Sequence, residues 1–107
     1  MASRAVITLP ARVAAGEAFE VRVTVAHAME TGYRSSDAGA RLPRDLVRHF
    51  ECQLDGETVF AAELFAAVSA NPYLSFWLRA RRSGSLNFVW QGDHGFEHRE
   101  TRPLVVA

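Results

Sequence analysis

The feature that most constrains the fold is a strict alternation of apolar and polar side chains over residues 19–25. Phe19, Val21, Val23 and Val25 are apolar, and the residues between them are polar. Because successive side chains of a β-strand point to opposite faces, this pattern predicts a strand with one face in a hydrophobic core. Such a strand needs others to pair with, and shorter versions of the pattern recur along the chain.

Turn signals separate these further segments. Asp55-Gly56 lies between two of them and strongly indicates a two-residue hairpin. The alanines of residues 61–70 are compatible with a helix, but the hairpin favours a strand, with one helical turn over residues 65–68 left open. The further strands are expected at residues 4–9, 50–54, 57–64, 73–80, 86–90 and 96–106. This pattern indicates an all-β protein, an immunoglobulin-like antiparallel β-sandwich of about seven strands in a single domain over residues 1–107.

Two loop segments stand out between the strands. Residues 27–44 follow no period, and loops of this length tend to be functional. Residues 68–73 contain Asn71-Pro72, a turn signal. Because strand direction reverses at each hairpin, residues 27–43, 65–72 and 92–95 are expected to meet at one end of the sandwich. His27 and Glu30 then have two interpretations, an acid–base pair or side chains that bind the backbone of their own loop.

The charge of the chain argues against nucleic-acid binding. Twelve basic residues balance twelve acidic ones, whereas a nucleic-acid-binding domain carries a basic surplus on one face. The arginines at positions 79, 81 and 82 are therefore interpreted as a solvated turn. Residues 1–10 lack the apolar region of a signal peptide, and no apolar run reaches the length of a membrane span.

The two loop segments also carry a family resemblance that extends over nearly the whole chain. Together with the Ala15-Gly16 turn, the Asp55-Gly56 hairpin and a late Trp90, they resemble the SoxZ family, and the order and spacing of the pieces are specific to it. The matching loop residues are His27, Met29, Glu30, Gly32, Arg34, Pro43, Ser69, Ala70, Asn71, Pro72 and Tyr73.

The resemblance implies a non-catalytic subunit without a cofactor. SoxZ proteins bind SoxY, whose C-terminal cysteine arm carries the sulfur intermediates of thiosulfate oxidation, and they present that arm to the other enzymes of the pathway. This chain ends in Leu104-Val105-Val106-Ala107, without such an arm, and is therefore expected to be the Z half. The family works in the periplasm, so the chain is expected to be exported together with a signal-bearing partner. Pairing of the isolated chain with itself stays open.

The histidines and the cysteine suggest an alternative. Superoxide reductases hold iron with four histidines and one cysteine on an immunoglobulin-like domain, and this chain contains four histidines and Cys52. Cys52, however, is in phase with Phe50 and Leu54, which predicts a small buried side chain rather than a reactive thiol. His94 and His98 lie across a turn, so their spacing does not require them to converge.

Trp77 is out of phase with its strand. Leu74, Phe76 and Leu78 form the inward face, so a regular strand places the Trp77 indole on the outer face. A large aromatic side chain in that position favours a contact surface for a partner.

Overall fold

The computed structural model describes residues 5–107 and shows two antiparallel sheets packed face to face. The strand patterns of the sequence form β1 to β7, and a single 3-10 turn, Asp93–Gly95, lies between the last two strands. One sheet has the strand order β1-β2-β5 and the other β4-β3-β6-β7. The strands are β1 Ala5–Thr8, β2 Phe19–Val25, β3 Val47–Leu54, β4 Glu57–Glu63, β5 Tyr73–Leu78, β6 Gly84–Gly92 and β7 Glu97–Leu104. The predicted β-sandwich is confirmed.

Aromatic side chains fill the space between the sheets. The Phe50 ring lies at the centre, with ring centroids 5.1 Å from Trp90 and 5.8 Å from Phe76. Phe60 of β4 stacks on Phe76 of β5 at 4.2 Å, which holds the facing edges of the two sheets together. Tilted and stacked aromatic pairs stabilise a core beyond the area that they bury. The inward faces of β2 and β3 are the ones that the alternation predicts.

Some strand ends differ from the sequence expectation. β5 stops at Leu78 and β7 at Leu104, so both strands are shorter than predicted. Arg4, which the first predicted strand included, lies outside the described residues. The segment 65–68 forms one turn, in which the Val68 amide donates to the Phe65 carbonyl at 3.0 Å, and no helix. The apolar–polar alternation of the sequence continues wherever the chain stays extended, even where no neighbouring strand pairs with it. The predicted lengths of β5 and β7 were therefore too long.

The Asp55-Gly56 hairpin joins β3 to β4 as predicted. Both residues have positive φ angles, 50° for Asp55 and 86° for Gly56. Two central residues with positive φ define the type I′ turn, whose twist matches that of the paired strands. The hairpin therefore fixes β4 beside β3 and in the larger sheet.

Cys52 is fully buried, as its strand phase predicts. Burial raises the pKa of its thiol to about 12, which leaves it protonated at neutral pH. We expect Cys52→Ala to lower the free energy of unfolding by about 1–2 kcal/mol, because it removes one small buried group. Denaturant unfolding measures this, and Cys52→Ser is the matched control, expected to lose more because a hydroxyl is buried among apolar groups. An unchanged unfolding midpoint for Cys52→Ala would contradict the prediction.

In the described part of the chain, no helix combines the length and the apolar character that crossing a membrane requires.

Candidate functional site

Three loops meet at one end of the sandwich, as the strand count predicts. They are residues 27–46, 65–72 and 92–96, which we call the loop cluster. The Asn71 amide donates to the His27 carbonyl at 2.6 Å, and the His27 amide donates to the Asn71 side-chain oxygen at 3.0 Å. The Asp93 amide donates to the Leu46 carbonyl at 2.8 Å. These long-range backbone contacts tie each of the three loops to another member of the cluster.

The His27 side chain is held by its own loop. Its Nδ1 accepts a hydrogen bond from the Met29 amide at 3.0 Å, and its Nε2 lies 3.5 Å from an Asp45 carboxylate oxygen. The ring packs edge-on against Phe96 with centroids 4.8 Å apart. Its partners are therefore Met29, Asp45 and Phe96, and the hypothesis of an acid–base pair with Glu30 is wrong. The alternative, a histidine that binds its own loop backbone, is confirmed.

Glu30 serves the loop in two ways. Its backbone pairs with that of Asp45 through hydrogen bonds of 2.8 and 2.7 Å, and its carboxylate binds the Arg34 guanidinium at 2.6 Å. The hydrogen bond from Arg34 holds the pKa of Glu30 below its usual value. Next to this pair, Gly32 has a φ of 89° and lies against Arg44, where an added Cβ would approach within 3.1 Å of the Arg44 Cβ. Glu30, Gly32 and Arg34 thus shape the loop backbone.

Met29 links the loop to the core. Its φ is 54°, its side chain is 5% exposed, and its sulfur accepts a hydrogen bond from the Val47 amide at 3.2 Å. Asn71 and His94 also have positive φ angles. Of the four non-glycine residues with a positive φ among residues 5–107, three therefore lie in the loop cluster. Strained backbone persists only where the surroundings fix it, and it concentrates at functional sites.

Asp93 is the residue with the most partners in the loop cluster. Its carboxylate accepts the Leu46 amide at 3.0 Å and the Arg44 guanidinium at 3.1 and 3.2 Å, and Arg48 lies 3.6 Å away. Partial desolvation raises the pKa of Asp93, but the Leu46 amide and the two arginines outweigh it, and the net pKa is lowered. The sequence of residues 92–95 predicts only a turn. An Asp at the start of such a turn is a known acceptor for backbone amides, and this signal could have indicated the role.

The outer surface of the loop cluster is exposed. Pro43, Ser69, Ala70 and Asn71 are open to solvent, whereas Pro72 is buried and its carbonyl accepts a hydrogen bond from the Val25 amide. Two large apolar side chains protrude here, Tyr33 and Phe65. A rigid loop cluster with apolar side chains on its outside has the properties of a recognition surface.

A second exposed surface lies on the outer face of the smaller sheet. Trp77 is 65% exposed, which confirms the orientation predicted from its phase, and Tyr73 on the same strand is 57% exposed. Val6 of β1 faces the same side, and we call Val6, Tyr73 and Trp77 the aromatic face. Tyr73 adjoins the loop cluster, whereas Trp77 lies about 13 Å further along β5. The candidate residues therefore divide into two surfaces.

Residues 5–107 contain no group of three or more His, Cys, Asp or Glu side chains arranged to hold a metal ion. The histidines contact different partners: His49 binds Glu63 at 2.7 Å, His98 binds Glu100 at 2.8 Å, and the His94 ring lies 2.7 Å from the Arg44 carbonyl. Cys52 is enclosed in the core. The described residues therefore contain no assembled set of side-chain ligands for a metal ion.

Comparison with known proteins gives one family and one fold. A family model described as "Sulphur oxidation protein SoxZ" matches residues 7–103. No curated protein sequence matches the chain.

Among solved structures, the superoxide reductase (neelaredoxin) from Ignicoccus hospitalis is similar with a TM-score of 0.75 and 21% identity, covering 96% of this chain and 80% of that one. The sulfur carrier protein SoxY from Chlorobium limicola f thiosulfatophilum is similar with a TM-score of 0.67 and 15% identity, covering 95% and 74%. At these identities both likenesses show the fold alone.

Proposed function

Because the chain belongs to the SoxZ family of sulphur oxidation proteins, we propose that it is a non-catalytic scaffold subunit that binds a SoxY-like sulfur carrier. The partner supplies the cysteine that bears the sulfur intermediates of thiosulfate oxidation, and this chain supplies a rigid surface. The complex acts in the periplasm, which the chain reaches bound to a signal-bearing partner.

The observation that carries this proposal is the combination of rigid exposed surfaces with a buried thiol. Cys52, the only cysteine, is fully buried, and its pKa of about 12 opposes nucleophilic chemistry. All of the large exposed apolar side chains of residues 5–107 except Val105 instead lie on the aromatic face or on the loop cluster. Large exposed aromatics at fixed positions are typical of protein contacts. In a reconstituted thiosulfate oxidation assay, Cys52→Ala that folds and binds its partner is therefore expected to keep full turnover.

We assign the stable contact with the SoxY-like partner to the aromatic face. Trp77 projects from an edge strand, and the charges of Glu20 and Arg22 on the adjacent strand β2 are paired with each other at 2.9 Å. Burying a tryptophan in such a setting contributes strongly to affinity. The transient contacts with other pathway enzymes are assigned to the outside of the loop cluster, at Tyr33 and Phe65.

Trp77→Ala is expected to weaken binding of the SoxY-like partner about tenfold, because truncating a central aromatic side chain of an interface typically costs more than 1 kcal/mol. The side chain is outside the core, so the unfolding midpoint should stay within experimental error. Isothermal titration with the purified partner measures the dissociation constant. Val105→Ala removes an exposed apolar side chain away from β5 and is the matched control.

An unchanged dissociation constant for Trp77→Ala would remove the aromatic face from the interface. Absence of any complex between the two wild-type chains would overturn the proposed function itself.

A further inference from the structure

A groove runs along one side of the sandwich, between β4 and β5. These strands are edges of different sheets, and the stacked rings of Phe60 and Phe76 bring them together on the same side. Two adjoining cavities of about 520 and 610 Å³ lie there and share Glu57, Val59 and Arg79 as lining residues. We call this the β4–β5 groove. Its lining follows several residues of both strands, which suits an extended chain better than a small ion.

One end of the groove is basic. Arg79, Arg81 and Arg82 line it, all three are exposed, and none forms an ion pair within the described part of the chain. Two carboxylates, Asp55 and Glu57, lie at the same end, and that of Asp55 accepts the Ser85 amide at 2.9 Å. This end therefore has three guanidinium groups and two carboxylates. The arginine side chains retain N–H donors that can bind the carboxylates of an acidic partner.

The other end of the groove carries most of its apolar side chains, beside the polar Thr58. Trp77 and Leu78 of β5, together with Val59 of β4 and Ala18, line the second cavity. The indole is largely exposed and has room to cover a side chain of a bound segment. A ligand that fills the whole groove thus needs an apolar end and an acidic end.

The edge of β5 is also unusually open to pairing. Natural edge strands carry charges, prolines or irregularities, or are very short, which prevents a further strand from adding. β1 has four residues, β7 contains Pro103 and several charges, and β4 has a glutamate at each end and a register shift. β5 has six residues without a charge, a proline or an irregularity. Its free backbone groups can receive a strand from another protein.

We infer that the β4–β5 groove binds an extended, acidic segment of another protein. The segment adds a strand to the free edge of β5, places an apolar side chain against Trp77, and directs its carboxylates to Arg79, Arg81 and Arg82. Guanidinium–carboxylate pairs fix its direction, and the backbone hydrogen bonds supply affinity. Trp77 belongs to both the aromatic face and the groove, so the inference concerns the chain without its stable partner, and it does not depend on the identity of that partner.

A synthetic peptide tests the inference directly. The probe is a blocked eight-residue peptide with alternating valine and threonine in one half and glutamates in the other. Isothermal titration of the full chain should show saturable binding that weakens as salt rises, because screening reduces attraction between exposed charges. The same peptide with glutamine in place of glutamate should bind at least tenfold more weakly. Absence of binding by the acidic peptide, or equal binding by both peptides, would overturn the inference.

Paired arginine variants localise the binding. Arg81→Gln/Arg82→Gln should weaken binding of the acidic peptide at least tenfold. Arg41→Gln/Arg99→Gln changes the net charge equally at exposed positions outside the groove and should leave binding within twofold. Equal losses in the two double variants would show general charge attraction and would overturn the groove assignment. All four arginines are exposed, so both variants should keep the wild-type unfolding midpoint.

Discussion

Gly92→Ala is expected to lower the free energy of unfolding by about 3 kcal/mol, because an added methyl group here meets backbone that cannot move aside. An ideal Cβ at this position would lie 2.2 Å from the Leu46 carbonyl oxygen and 2.9 Å from the Val47 Cα. Gly92 sits at the end of β6, where β3 begins and the Asp93 turn starts. The variant therefore has to separate β3 from β6 at the base of the loop cluster.

Denaturant unfolding measures this loss, and Gly84→Ala is its matched control. At Gly84 an ideal Cβ would lie 2.5 Å from a carboxylate oxygen of Asp55, which is a side-chain atom and can rotate away. The control is expected to lose about 1 kcal/mol, mainly the hydrogen bond between Asp55 and the Ser85 amide. Similar losses in the two variants would contradict the argument that rigid backbone makes Gly92 necessary.

Asp93→Ala is expected to lower the free energy of unfolding by about 2 kcal/mol. The change leaves the half-buried Leu46 amide without its acceptor and removes the shared partner of Arg44 and Arg48. Asp93→Asn keeps an oxygen for the Leu46 amide and loses only the charge, so a loss of about 1 kcal/mol is expected. Asp37→Ala, at an exposed loop position, should change stability by less than about 0.5 kcal/mol. Equal stability of Asp93→Ala and Asp37→Ala would contradict the central role of Asp93.

The same carboxylate predicts a pH dependence with a defined sign. The pKa of Asp93 is lower in the folded chain than the usual aspartate value of about 3.9. Its contribution to stability is therefore fully present above the unfolded pKa and is lost as the pH falls through the folded pKa. The stabilities of the wild-type chain and of Asp93→Asn, measured from pH 7 down to pH 3, should begin to converge below about pH 4 and approach each other further as the pH falls. A constant difference across that range would contradict the prediction.

Local patterns in the sequence were enough to predict the strands and to identify the buried and exposed face of each. The alternation at Phe19 to Val25 identified the buried side of β2, and the phase of Trp77 placed its indole outside. Asp55-Gly56 identified the hairpin. Each of these properties depends on neighbouring residues, because the side-chain period of a strand and the φ angles of a turn are local.

The pairing of side chains within the loop cluster was not predictable in the same way. Counting strand directions brought the loops to one end, but it left two interpretations of His27 open. The structure shows that its ring nitrogens contact the Met29 amide and Asp45 rather than Glu30. Asp93 reaches Leu46 across 47 positions of the chain. Such contacts depend on the register of β3 against β6, and several registers are compatible with one alternating pattern.

The class of fold, the two faces of each main strand, the hairpin and the family resemblance were therefore predictable from the order of the residues. Packing of the whole domain was needed to show that β5 pairs with β2 in the other sheet, which leaves the free edges of β4 and β5 on one side with a groove between them. It also decided that Arg79, Arg81 and Arg82 face that groove. The physical reason is that periodicity fixes which side of a strand is apolar, whereas sheet membership depends on packing between residues far apart in the chain.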